Sequence, residues 1–171
     1  MNSVEATAAV IDALEGVQIE YMLVGAFSAN AYGIGRSTND ADFVVSFSGD
    51  QLQKLIERLG PEFRLDPQMQ MEAFTGSFRN VVTFLPTKFQ IELFRLNSQD
   101  EHHRERFRRR CRILLGEINR QAWIPTAEDV VIHFRKRSST FFVIRSTAGS
   151  FPRSPCAQSV EPAVTTVPPL L

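Results

Sequence analysis

Asp40 and Asp42 stand two residues apart inside the run TNDADFVVSF, and a third acidic residue, Glu92, stands in FQIELF. In a strand, residues i and i+2 point to one face about 6.6 Å apart, so a strand that begins by residue 40 presents both aspartates to one point. Ionised carboxylates so placed repel, and each costs several kcal/mol to take from water unless something pairs it. One proton affinity then rises, unless a divalent cation holds both groups ionised. Magnesium suits such hard oxygen ligands and keeps its remaining positions for water or substrate phosphates. Upstream, the apolar run YMLV breaks at Gly25 and enters the small residues of AFSANAYG. Such a turn delivers backbone into a helix N-terminus, where free amides and the helix dipole favour phosphate. Glu92 alternates with Ile91 and Leu93, so it leaves the face those two bury. Each feature has a plain counterpart: a bare Asp-X-Asp is more often a solvated strand end, a lone glycine a tight turn, a strand glutamate an exposed residue. Together they match the needs of two-metal phosphoryl transfer.

The elements that must position these residues follow from periodicity. Val4, Ala8, Ile11 and Leu14 recur at helical spacing behind Ser3, an expected N-cap, and Gly16 ends the pattern. A strand is predicted over 19–24, a short helix over 26–33 and a second strand over 41–47. The next helix, GDQLQKLIERLG, puts Leu52, Leu55, Ile56 and Leu59 on one face. Strands over 77–85 and 88–96, joined at Pro86 and Thr87, predict a hairpin. Beyond them lie a basic helix over about 100–110, strands around Ile113 and Trp123, and a helix AEDVVIHFRKR capped by Thr126.

With 171 residues and balanced charge, 19 basic against 19 acidic, the chain suits one ordinary domain with no global field for nucleic acid or membrane. After Arg137 the apolar periodicity stops. Residues 138–171 hold five of the nine prolines and a single acidic residue, Glu161. The expected organisation is therefore a folded domain over 1–137 and a Ser/Pro-rich, poorly ordered tail over 138–171. Cys111 and Cys156 lie far apart, the start MNSVEATAAV lacks signal-peptide features, and no apolar run reaches membrane-helix length. A reduced, cytoplasmic protein without a membrane span is expected.

The run from Val24 to Phe43 resembles the signature of the DNA polymerase β-like nucleotidyltransferase superfamily: a hydrophobic residue, Gly, Gly or Ser, a spacer, then Asp, a hydrophobic residue, and Asp or Glu. Here Val24, Gly25 and Ala26 are followed by thirteen residues and then Asp40-Ala41-Asp42. The family's third carboxylate, in a later strand, falls on Glu92. RSTNDAD, FQIELF and IPTAEDVVIH further resemble small bacterial members related to abortive-infection AbiE-type toxins. The resemblance covers about 17–135. It implies an α/β (α+β) core: a small mixed sheet with helices mainly on one side.

It also implies an enzyme that moves a nucleoside monophosphate from an NTP to an acceptor hydroxyl on RNA, protein or a small molecule, with a relation to toxin–antitoxin pairs. Asp40, Asp42 and Glu92 would be the catalytic, metal-binding residues for two magnesium ions. Gly25 and Ala26, with Arg36, Ser37 and Thr38 nearby, would hold the triphosphate. Two departures stand out. Ala26 replaces the usual Gly or Ser and offers no hydroxyl. Where relatives continue with further helices, this sequence turns Ser/Pro-rich.

A rival reading is a degenerate module that binds NTP, RNA or an antitoxin-like partner without turnover. Ala26 favours it, and three retained carboxylates oppose it. A metal-dependent nuclease fits less well, because the phosphate turn precedes the carboxylates. The arginine-rich run from His102 to Arg112 could grip RNA phosphates, but a solvated helix face is the commoner reading. His102, His103 and His133 lack metal-ligand spacing. Trp123 and Phe107 read as core residues.

Overall fold

The computed structural model describes residues 1–72 and 77–130. His133, Cys156 and the 138–171 tail lie outside them. The predicted last helix is described over 127–130, where Thr126 Oγ1 accepts from the Asp129 amide at 3.4 Å.

The first helix, α1 (Ser3–Gly16), starts at Ser3, the residue expected to cap it, so its cap lies one residue earlier. Asn2 caps it, accepting from the Glu5 amide, while the Glu5 side chain returns a bond to the Asn2 amide. This reciprocal box satisfies two otherwise orphaned donors, which Ser3 inside the helix cannot do. Strand β1 (Glu20–Val24) runs into α2 (Gly25–Ala31), and β2 (Asp40–Ser46) begins at Asp40, as the carboxylate argument requires. Helix α3 (Gly49–Leu59) carries a capping box from Ser48 and Gln51. Of its apolar face, Leu55 is fully buried, while Leu52, Ile56 and Leu59 pack at the edge of the core.

Two short strands absent from the periodicity reading follow, β3 (Phe63–Leu65) and β4 (Gln70–Glu72). The predicted hairpin is β5 (Ser77–Phe84) and β6 (Phe89–Arg95), with Lys88 at φ 59° in its turn. Asp100 caps α4 (Glu101–Arg108), and β7 (Cys111–Leu115) pairs with β8 (Arg120–Ile124) in a separate two-stranded sheet.

The main sheet has the order β1-β2-β6-β5-β3, with β4 also on β5. Every pairing is antiparallel except β2 with β6. Cross-strand partners share a face, so Leu23, Phe43 and Leu93 form one row and Ala41, Ile91 and Val82 the next. These buried rows meet Val10, Ile11 and Leu14 of α1 and Leu55 of α3 in one core. Tyr21 packs edge-on to Phe43 with ring centroids 6.0 Å apart. The molecule is thus a mixed α/β fold whose helices cover mainly one side of the sheet. The opposite face carries the row Val24, Asp42, Glu92 and Val81.

Candidate active site

The parallel register of β2 on β6 sets Asp42 directly beside Glu92, and Asp40 lies one pleat along, beside Gln90. All three acidic residues therefore occupy the sheet face that the core leaves. Asp40 and Asp42 are half-buried, alternating with buried Ala41 and Phe43. Thr38 donates its hydroxyl to Asp40 Oδ1 at 2.6 Å, which fixes that carboxylate's direction.

Gly25 closes the site from β1. Its φ is +69°, a left-handed conformation that a Cβ disfavours. A Cβ built there would collide with Asp42 Oδ2 and stand 3.2 Å from Asp42 Cγ. Two independent constraints, dihedral and space, thus require glycine at the point where the β1 to α2 turn touches the second aspartate.

Glu92, only 9% exposed, meets Arg79, whose Nη1 stands 2.6 Å from Glu92 Oε2. Among the described residues, no group of three His, Cys, Asp or Glu side chains is gathered closely enough to hold a metal ion. Asp40 and Asp42 nonetheless fit a hard divalent cation by donor chemistry, spacing and the backbone that approaches them at Gly25. Glu92 neighbours Asp42 by register, but its carboxylate is directed at Arg79 in this structure and does not join the two aspartates in a three-carboxylate group. Arg79 escaped the sequence reading. The signal available was its place in a strand two residues from Val81, but only the register with β6 shows which face that means.

The other expected phosphate contacts divide. Ala26 is buried at the start of α2, and Ser28 donates its hydroxyl to the Gly25 carbonyl at 3.0 Å, inside the first turn. Thr38 serves Asp40. Arg36 and Ser37 lie on an exposed loop. Asn30 holds that loop to α2, accepting from the Arg36 amide at 2.7 Å and donating to the Arg36 carbonyl at 3.1 Å. Asn30 is a second residue that sequence reasoning missed. Tyr32, at the end of α2, donates to the Pro125 carbonyl at 2.8 Å, and burial pushes its phenol up to about 12. The helix behind Gly25 is thereby tied to the far hairpin.

The arginine-rich stretch is largely engaged with acidic residues. Arg109 Nη2 reaches buried Asp129 at 2.9 Å, Arg110 pairs with Glu20 at 3.0 Å and Arg112 with Glu15 at 3.0 Å. Phe107 is buried, and Trp123 lies under Arg110 with 5.1 Å from guanidinium to ring centroid. The Cys111 Sγ lies 3.6 Å from the Tyr32 hydroxyl. No helix among the described residues is long and apolar enough to cross a membrane.

No protein-family model and no curated protein matches this sequence. An antigenic nucleotidyltransferase-like protein from Paracoccidioides brasiliensis superposes with a TM-score of 0.50 at 16% identity, over 75% of this chain and 63% of its own length. The fold is nucleotidyltransferase-like. A candidate nucleotidyltransferase from H. pylori matches 77% of this chain and 56% of its own with a TM-score of 0.46 at 16% identity. This chain spans 63% of the length of the first of these structures.

Proposed function

We propose that this chain is a metal-dependent nucleotidyltransferase that moves a nucleoside monophosphate from an NTP to an acceptor hydroxyl. The observation that carries the reading is the left-handed Gly25 turn pressed onto Asp42, with Asp40 on the same face and Glu92 beside it. A scaffold has little use for a strained turn against converging carboxylates. In the reaction the acceptor oxygen bonds to the α-phosphorus, the α–β phosphoanhydride bond breaks, and pyrophosphate leaves. Asp40 and Asp42 would hold magnesium, Thr38 keeping Asp40 in line. Bound magnesium would supply charge neutralisation of the triphosphate and polarisation at the α-phosphorus. The Gly25 turn would bring the amides of residues 26–28 toward the phosphates, with Arg36 and Ser37 on the adjoining loop. Glu92 would act on the acceptor side, helping its hydroxyl lose a proton. RNA, a protein or a small molecule would be the acceptor, and an antitoxin-like protein a partner.

The second reading, binding without turnover, draws on Ala26, which lacks the hydroxyl, and on the Arg79 contact of Glu92. Incubation with each labelled NTP, magnesium and total cellular RNA tests the two. Transfer of label by wild type and its loss in Asp42→Asn support the enzyme. Glu92→Gln should lower turnover at least about a hundredfold while NTP affinity changes only a few fold, the signature of an acceptor-side group. NTP binding without transfer to any acceptor overturns the enzyme in favour of the binding module.

A further inference from the structure

Arg79 is held more firmly than a chance neighbour of Glu92. Besides the 2.6 Å contact to Glu92, its Nε and Nη2 donate to Gln70 Oε1 at 3.3 and 3.1 Å. Its guanidinium lies 5.8 Å from the centroid of the Phe94 ring. The register builds this arrangement: Gln70, Arg79 and Phe94 form one cross-strand row, and Asp42, Glu92 and Val81 form the next row on the same face. The side chains of Arg79 and Glu92 are 27% and 12% exposed, so their attraction is screened less than that of a surface pair.

The geometry points to Arg79 as a positioning residue that competes with a divalent cation for Glu92. Without the cation, the guanidinium neutralises the third carboxylate and keeps it directed away from joint ligation with Asp42. When a cation engages Glu92, the Arg79 contact is given up, and Gln70 and Phe94 retain the guanidinium on the same face. The competition makes cation uptake at Glu92 weaker than three converging carboxylates alone would give, while a cation held by Asp40 and Asp42 does not need Arg79 to move. This inference rests on the proposed cation site at those two aspartates.

Manganese titration followed by electron paramagnetic resonance counts bound ions and gives their affinities without any turnover. Wild type should bind one ion more tightly than a second. In Arg79→Gln the second should tighten at least about tenfold, since an opposing charge at contact distance is worth one or more such factors. The double variant Arg79→Gln with Glu92→Gln should fall back to the level of Glu92→Gln alone, and Arg79→Lys should gain less than Arg79→Gln. Unchanged affinities in folded Arg79→Gln overturn the competition, as does a gain that persists without Glu92, which would be a general charge effect. Asp42→Asn separates the two levels. Loss of manganese there with no effect of Arg79→Gln sinks only the role of Arg79, whereas unchanged binding in Asp42→Asn sinks the cation site itself. If the variants fail to fold, the Arg79 Nε–H resonance of wild type decides: it should shift on saturation with magnesium, and an unmoved resonance overturns the proposal.

Discussion

The sheet face around Asp42 and the region of α4, β7 and β8 are both rich in charge, yet they treat it in opposite ways. Around Asp42 the strands bring carboxylates onto one face beside a left-handed glycine, and Arg79 meets Glu92 there. Around α4 opposite charges are matched across elements: Arg109 with Asp129, Arg110 with Glu20, Arg112 with Glu15, and Arg120 with Asp12 of α1. Matched pairs dock the hairpin onto α1 and β1. Converging like charges do no docking, because they oppose the fold that gathers them. Density of charge therefore says little about function, whereas like charges gathered on one face point to chemistry.

The largest effect should come from the face that gathers like charges. Gly25→Ala forces a Cβ into a left-handed φ and against Asp42, which together should cost about 2–3 kcal/mol. Adding Asp42→Ala removes the colliding oxygen, so in a denaturant double-mutant cycle Gly25→Ala should cost less in that background. Equal costs in the two backgrounds would show that the close approach carries no energy.

The balanced side should show a graded response. Asp129→Ala takes a carboxylate only 3% exposed away from Arg109 and Arg106, with expected destabilisation of about 2 kcal/mol. Solvent screening at the half-exposed Arg109 holds the cost below that of a fully buried pair. Arg112→Ala breaks a pair whose side chains are 43% and 38% exposed, and should cost under about 1 kcal/mol. Thermal melts that ranked these two in reverse would break the comparison, since burial would not then decide which pairs hold the scaffold.

The smallest effect should be that of pH on the α4 cap. The His103 amide, with a lesser contribution from the His102 amide and both nearby histidines, holds Asp100 below its ordinary value of 3.8. A depressed folded value means that the cap's stabilisation is present above the unfolded value and is lost as pH falls through the folded one. The stability difference between wild type and Asp100→Ala should thus persist at neutral pH and vanish in acid. A difference that stays constant down through the carboxylate range would show that the capping charge contributes nothing.

By itself the sequence determined the pieces whose signals are local. The 3.6-residue period of Ala8, Ile11 and Leu14 marks α1, the alternation of Ile91 and Leu93 around Glu92 marks β6, and the spacing of Gly25 and the two aspartates marks the candidate site. Each depends on neighbours within a few residues. It did not distinguish Ser3 from Asn2 as the cap, because both residue types can fill that position and only the bond to Glu5 decides. Nor did it find β3 and β4, which are three residues each, too short to establish a period. The tertiary structure alone decided that β2 and β6 run parallel, which puts Glu92 beside Asp42, and that β5 continues the sheet so that Arg79 reaches Glu92. Strand register joins residues dozens of positions apart through backbone hydrogen bonds common to every residue type, so the side-chain pattern of one strand cannot specify its partner.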